Sequence, residues 1–179
     1  MNYVPIFPSE LQAIALALLP ALAIGEQWPA KQGFIVSVRT EQLSAPSRVY
    51  YQSDRLHSLI RSSTGDTKIL AQCLGSRHWD GFVREECVRQ LMLCDRPWVV
   101  PFVVQLLGEY VLEIVHAIAS ALPSVNRSTY GEFARENPEL VAITGRRITS
   151  YWDCYYRRQY LNVREYPAFL ALQHIAGMA

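Results

Sequence analysis

Trp79-Asp80-Gly81-Phe82-Val83-Arg84-Glu85-Glu86-Cys87, continuing to Leu91, is echoed 28 residues later by Leu107-Gly108-Glu109-Tyr110-Val111-Leu112-Glu113-Ile114-Val115, continuing to Ala119. Phe82 matches Tyr110, Val83 matches Val111, Glu85 matches Glu113, Cys87 matches Val115 and Leu91 matches Ala119. The apolar matches recur at spacings of four, which lays them along one side of a helix. Each stretch follows another apolar segment, at 69–74 or 99–107. The spacing predicts two successive helix pairs.

Outward from this centre, the chain reads helical from Ser53 almost to its end, over 53–61, 66–77, 80–93, 96–108, 110–122, 127–136, 138–158 and 167–175. Asp66 and Asp80 read as N-caps. Asp95 before Pro97 and Asn137 before Pro138 give the signal of a cap followed by a first-turn proline, Tyr166-Pro167 opens the last helix, and Gly177 stands near its stop. Upstream, Ser9 with Gln12 reads as a capping box opening a helix over 9–24 that ends near Gly25. The period then changes to two: Phe34, Val36 and Val38 share a face, and residues 48–51 form a second β-branched and aromatic run. This predicts a hairpin whose irregular loop, 40–47, contains Pro46. The expected organisation is a single domain, 1–179, made of a helix-plus-hairpin appendage (1–52), a helical core (53–125) and Arg-aromatic C-terminal helices (126–179).

Asp80, Val83, Arg84, Cys87 and Leu91 resemble HEAT-like helical repeats, in which a turn acid precedes Val-Arg and small apolar residues follow at helical spacing. The second copy departs from the pattern, with Leu112 in the arginine position and Glu109 as its acid. The resemblance covers about residues 66–122, a third of the chain. It implies antiparallel helix pairs that bury one face and leave another for partners. The expected fold is mostly α, HEAT-like pairs in a small solenoid or bundle with a short N-terminal β-hairpin. The same residues also suit two amphipathic helices of an unrelated bundle.

Half of the 179 residues are hydrophobic, enough for a core without metal or disulfide support, and 17 basic against 16 acidic residues give a formal charge of +1. That near-neutrality disfavours a general nucleic-acid binder. Cys73, Cys87, Cys94 and Cys154 have neither CxxC nor framework spacing, so they read as small apolar residues of a reducing compartment, with no zinc site. The apolar run 11–24 has the length of a signal-peptide core. However, Glu10 rather than a basic residue precedes it, Pro20 interrupts it, and it is too short to span a bilayer. A cytoplasmic protein without a membrane span is expected.

No HExxH, GxSxG, P-loop or dinucleotide-binding glycine pattern occurs, and His57, His78, His116 and His174 are scattered. Cys73, His78 and Asp80 are close enough in sequence for a nucleophile set, but Asp80 reads as a cap and Cys73 as core. The unusual stretch is 146–158, where arginines interleave with Tyr151, Trp152, Tyr155 and Tyr156. One side of this helix reads as core. The other carries Arg146, Asp153 and Arg157, a surface suited to a protein hot spot or to base stacking.

Arg84 reads as structural, reaching back toward Asp80. Trp98, Glu109, Glu113, Trp152, Arg157 and Arg158 lack so evident a structural task and are the partner-binding candidates. The expected function is a non-enzymatic protein-binding module of adaptor, scaffold or toxin-neutralising immunity type, without cofactor, whose partner is another protein. The alternatives are a nucleic-acid binder or HEAT-like DNA glycosylase using the Arg-aromatic helix, and a hydrolase without a recognisable motif.

Overall fold

The segment Val100–Leu107 carries no charged residue, so water is the least favourable place for it, and the rest of the chain closes around it. The computed structural model describes residues 4–22 and 33–179. In chain order these contain α1 (Gln12–Leu22), the strands β1 (Gly33–Val38) and β2 (Glu41–Pro46), α2 (Ser53–Ser62), α3 (Gly65–Gly75), α4 (Gly81–Leu91), α5 (Val100–Leu107), α6 (Leu112–Ala121), α7 (Arg127–Glu136), α8 (Pro138–Tyr151) and α9 (Pro167–Ala176). The fold is mostly helical, with a small antiparallel hairpin near the N-terminus. All eight residues of α5 are buried, and α6, α7, α8 and α9 surround it in bundle-like packing. Each large aliphatic side chain buried there contributes roughly 1.5–3 kcal/mol.

The two echoed stretches become α4 and α6, which pack on each other, while α3 lies on α4 and α5 on α6. Matched positions share surroundings: Cys87 and Val115 are buried, and Phe82 and Tyr110 both face outward. A side chain at Gly75 would collide with Cys87 Sγ, so glycine and a small thiol together set how closely α3 and α4 approach. All four cysteines are free. Burial pushes the Cys73 thiol well above its usual value and that of Cys87 up to about 12. No helix among the described residues is long and apolar enough to cross a membrane.

Several local expectations need correction. The second strand is Glu41–Pro46 rather than 48–51, and the turn is only Arg39-Thr40, with Val38 opposite Glu41. Leu43 and Ala45 pair with Val36 and Phe34 on the inward face, and Pro46 is tolerated because it ends the ladder. Arg39 takes φ +57°, the left-handed conformation that suits a two-residue hairpin turn. Residues 48–51 instead make a single parallel bridge, Val49 to His78.

Asp66 does not cap α3; its carboxylate meets Arg96 at 3.5 Å. Asp95 accepts from Asn126 Nδ2 (2.8 Å) and Thr129 Oγ1 (3.1 Å) instead of capping its own helix. The Ser9–Gln12 box does not form, because Glu41 binds the Ser9 backbone N–H (2.8 Å) and Gln12 donates to the Phe7 carbonyl (2.5 Å). Asn137 leaves its cap position unused: its amide accepts from the Ser37 N–H and donates to the Ser37 carbonyl, both at 2.7 Å. Glu136 takes the Arg39 N–H, and the Pro5 carbonyl takes the Ser44 N–H, so both hairpin edges are occupied by the chain itself. The expected stop of the first helix near Gly25 lies outside the described residues.

Candidate functional site

Four aromatic residues stand far out of the surface along one edge, where turns and helix starts collect: Phe82 (84 % exposed), Tyr155 (65 %), Trp79 (57 %) and Tyr110 (52 %). Trp79 lies in the turn between α3 and α4, Phe82 in the first turn of α4, and Tyr110 in the turn before α6. The starts of α4 and α6 adjoin, since a side chain on Gly81 would sit 4.0 Å from Val111 Cγ2. Tyr155 comes from a π-helical turn, Trp152–Tyr156, that continues α8. Tyr151, at the end of α8, and Tyr155, in this turn, lie 6.0 and 6.2 Å from the Tyr110 ring, and the Tyr156 hydroxyl donates to the Tyr110 carbonyl. π-Turns of this kind concentrate at functional sites.

Behind the edge is a buried charge cluster built from the same turns. Arg77 donates to the carbonyls of Pro46 (Nε, 3.1 Å) and Ser47 (Nη2, 2.6 Å) and to Glu109 Oε1 (Nη2, 2.8 Å). Arg84 Nη1 donates to the carbonyls of His78 (2.9 Å) and Trp79 (2.8 Å), while its Nε makes an ion-pair contact with Glu109 Oε2 at 3.1 Å. Arg48 Nη1 donates to the His78 carbonyl (3.2 Å), and Nη2 stands 3.4 Å from Glu109 Oε1. Arg77 and Arg84 are buried; Arg48 is partly open to solvent. Burial pushes the Arg77 guanidinium down to about 10, against the opposing pull of Glu109. The cluster fixes three turns on one carboxylate and so holds the aromatic edge in place.

His78 completes this scaffold. Its Nε2 bonds the Tyr51 carbonyl (2.7 Å) and its Nδ1 accepts the Asp80 backbone N–H (3.1 Å), which assigns the neutral tautomer protonated on Nε2. Burial holds its pKa below the usual histidine value. Asp80 caps α4 through the Phe82 N–H (2.9 Å), as its position predicts. With both ring nitrogens of His78 on backbone groups and Cys73 buried, these three residues form no nucleophile–base pair. Glu85 pairs with Arg89 (2.7 Å) and Glu86 with His57 (3.3 Å). Among the described residues no group of three His, Cys, Asp or Glu side chains could hold a metal ion.

The six candidates from sequence separate. Trp98 and Glu109 are interior and present nothing to a partner. Trp98 meets Phe7 edge-on at 6.1 Å beneath the N-terminal segment, and Glu109 is the centre of the arginine cluster. Arg84 is structural, but through Glu109 and two carbonyls rather than through Asp80. Glu113, Arg157 and Arg158 are exposed and Trp152 is half-buried, its Nε1 donating to the Tyr160 carbonyl (2.8 Å). Arg157 pairs with Asp153 (2.9 Å) and lies 5.8 Å from the centre of the Trp152 ring.

The edge aromatics carried a signal in the sequence. Phe82 precedes the stripe of residues 83, 87 and 91, and Tyr110 the matching stripe 111, 115 and 119, by one position, so each is turned about 100° away from its stripe. No family model, curated protein or solved structure matches this chain.

Proposed function

We propose that this chain is a non-enzymatic protein-binding module that engages its partner along the edge carrying Trp79, Phe82, Tyr110 and Tyr155. The observation that carries the reading is the exposure of these four rings on one preorganised edge. Exposed apolar side chains held rigid are an unfavourable arrangement in water and a favourable one in an interface, where Trp, Tyr and Arg supply most of the binding energy. Preorganisation adds to this, because turns already fixed by Glu109 lose little further freedom on association. α3 to α6 act in this reading as HEAT-like pairs presenting their turns. Glu113, Trp152, Arg157 and Arg158 flank the contact, and four free thiols suit work in the cytoplasm. An adaptor, a scaffold and a toxin-neutralising immunity-type protein all fit such a module.

The test is a double variant, Phe82→Ala with Tyr155→Ala, used beside the wild type to capture partners from the native cell. Both side chains are exposed, so circular dichroism and the melting temperature should stay close to wild type. Binding to the captured protein should weaken by about 2 kcal/mol or more. Equal affinity of the two proteins for that partner would sink the assignment of this edge.

A further inference from the structure

The charge behind the aromatic edge is unbalanced: three guanidiniums, Arg48, Arg77 and Arg84, converge on one carboxylate, Glu109. Three less one leaves an excess of two in the cluster, against +1 for the whole chain. Asp80, whose carboxylate caps α4 on the Phe82 N–H, also attracts Arg84 and offsets part of this excess, leaving the cluster positive by a smaller margin. Arg77 and Arg84 are sealed from solvent with donors on backbone carbonyls, so the excess can meet an outside anion only through Arg48. Arg48 bonds the carbonyl of His78, next to Trp79, and touches the carboxylate of Glu109, next to Tyr110, so its guanidinium lies at the base of the turns that carry these two rings.

Resting on the protein-binding reading, we infer that the partner offers an acidic segment, laying one carboxylate on Arg48 and apolar side chains across Trp79 and Phe82. A carboxylate bound to a guanidinium makes a charge-assisted hydrogen bond, which strengthens as the surrounding rings exclude water. A partner carboxylate would thus supply the counter-charge that the cluster lacks, and a basic segment would meet an uncompensated positive cluster. A polynucleotide fits less well. It needs a row of cations along its phosphates, whereas of the cluster's three guanidiniums only Arg48 is accessible, and the exposed Arg157 beyond it is already paired with Asp153.

Random dodecapeptides displayed on phage, selected on the full chain and counter-selected on the Phe82→Ala/Tyr155→Ala variant, test this without knowledge of the partner. Enriched peptides should carry net negative charge and at least one large apolar residue. Replacing their carboxylates by amides should weaken binding to the wild type by about ten-fold or more, read by fluorescence anisotropy. Arg48→Gln should cause a similar loss and Arg48→Lys should restore most of it. If Arg48→Gln unfolds, the acid-to-amide comparison on the wild type decides alone.

Neutral or basic enriched peptides that still require Phe82 and Tyr155 overturn the acidic partner and leave the protein-binding edge standing. Tighter binding to a short oligothymidylate than to any selected peptide, or no enrichment over the double variant, overturns both.

Discussion

The arginines around Glu109 and the arginines of residues 146–158 are one residue type in opposite surroundings. Arg77 has most of its donors on carbonyls or on Glu109, and Arg84 holds two carbonyls through Nη1 and meets Glu109 through Nε, both side chains out of reach of water. Arg157 has one carboxylate partner four residues away on its own helix and is mostly exposed. Coulomb attraction in water is several-fold weaker than in the interior, and an exposed pair must also order two long side chains. The interior set therefore fixes the path of three turns, while the exposed set decorates a surface. In the sequence the C-terminal stretch stands out, because it is dense in Arg, Trp and Tyr. The organised charge nevertheless sits at residues 48, 77, 84 and 109, which are distant along the chain.

Glu109→Ala gives this comparison its hardest test. It leaves two buried guanidiniums, Arg77 and Arg84, and the partly open Arg48 without the carboxylate they share, and breaking a buried pair in this way costs about 3–5 kcal/mol. Urea unfolding should show a correspondingly lower midpoint. A shift no larger than that of a typical surface substitution would mean that the cluster has other counter-charges and fixes nothing.

A smaller effect should come from pH. In the unfolded chain His78 takes up a proton near the ordinary value of about 6.5, whereas burial keeps it lower in the folded state. Above that value the residue is neutral in both states and its contribution to stability is complete. Below it the unfolded state binds more protons, so stability falls as the pH drops from about 7 towards 5. The slope from one proton is at most about 1.4 kcal/mol per pH unit. Protonation of Nδ1 would also displace the Asp80 N–H it accepts. Urea midpoints at a series of pH values should therefore decline on the acid side for the wild type and decline less steeply for His78→Gln. Parallel curves would remove His78 from the scaffold.

The smallest effect belongs to the exposed region. Arg157→Glu with Arg158→Glu replaces one surface pair by a repulsion and should change stability by less than about 1 kcal/mol. Calorimetry showing a loss as large as that of Glu109→Ala would erase the distinction between the two sets of arginines.

Most elements were legible because their signals are local. The Asp80 cap, the prolines at Pro97, Pro138 and Pro167, and the stripe 83, 87, 91 each place a helix start or face within a few residues of sequence. The second strand was misplaced because Arg48–Tyr51 has the better β-branched and aromatic composition. What selects Glu41–Pro46 is pairing with β1 across a two-residue turn, and propensity does not report pairing. The site was legible in part: Phe82 and Tyr110 could be found as aromatic residues off the apolar stripe. Glu109 could not be excluded from the surface, since only the approach of Arg77 and Arg84 gives its carboxylate a reason to be inside.

The sequence by itself determined a mostly helical chain with one hairpin, the edges of most helices and the small apolar character of Cys73 and Cys87. Periodicity and capping act through neighbours along the chain, and so they can be read there. The tertiary structure decided which charges are interior, which aromatic rings remain in water and where the turns meet. Asn137 on Ser37, Phe7 over Trp98 and Glu109 among three arginines each join residues far apart in sequence. Burial, which sets the strength of every one of those interactions, exists only once the chain has closed around α5.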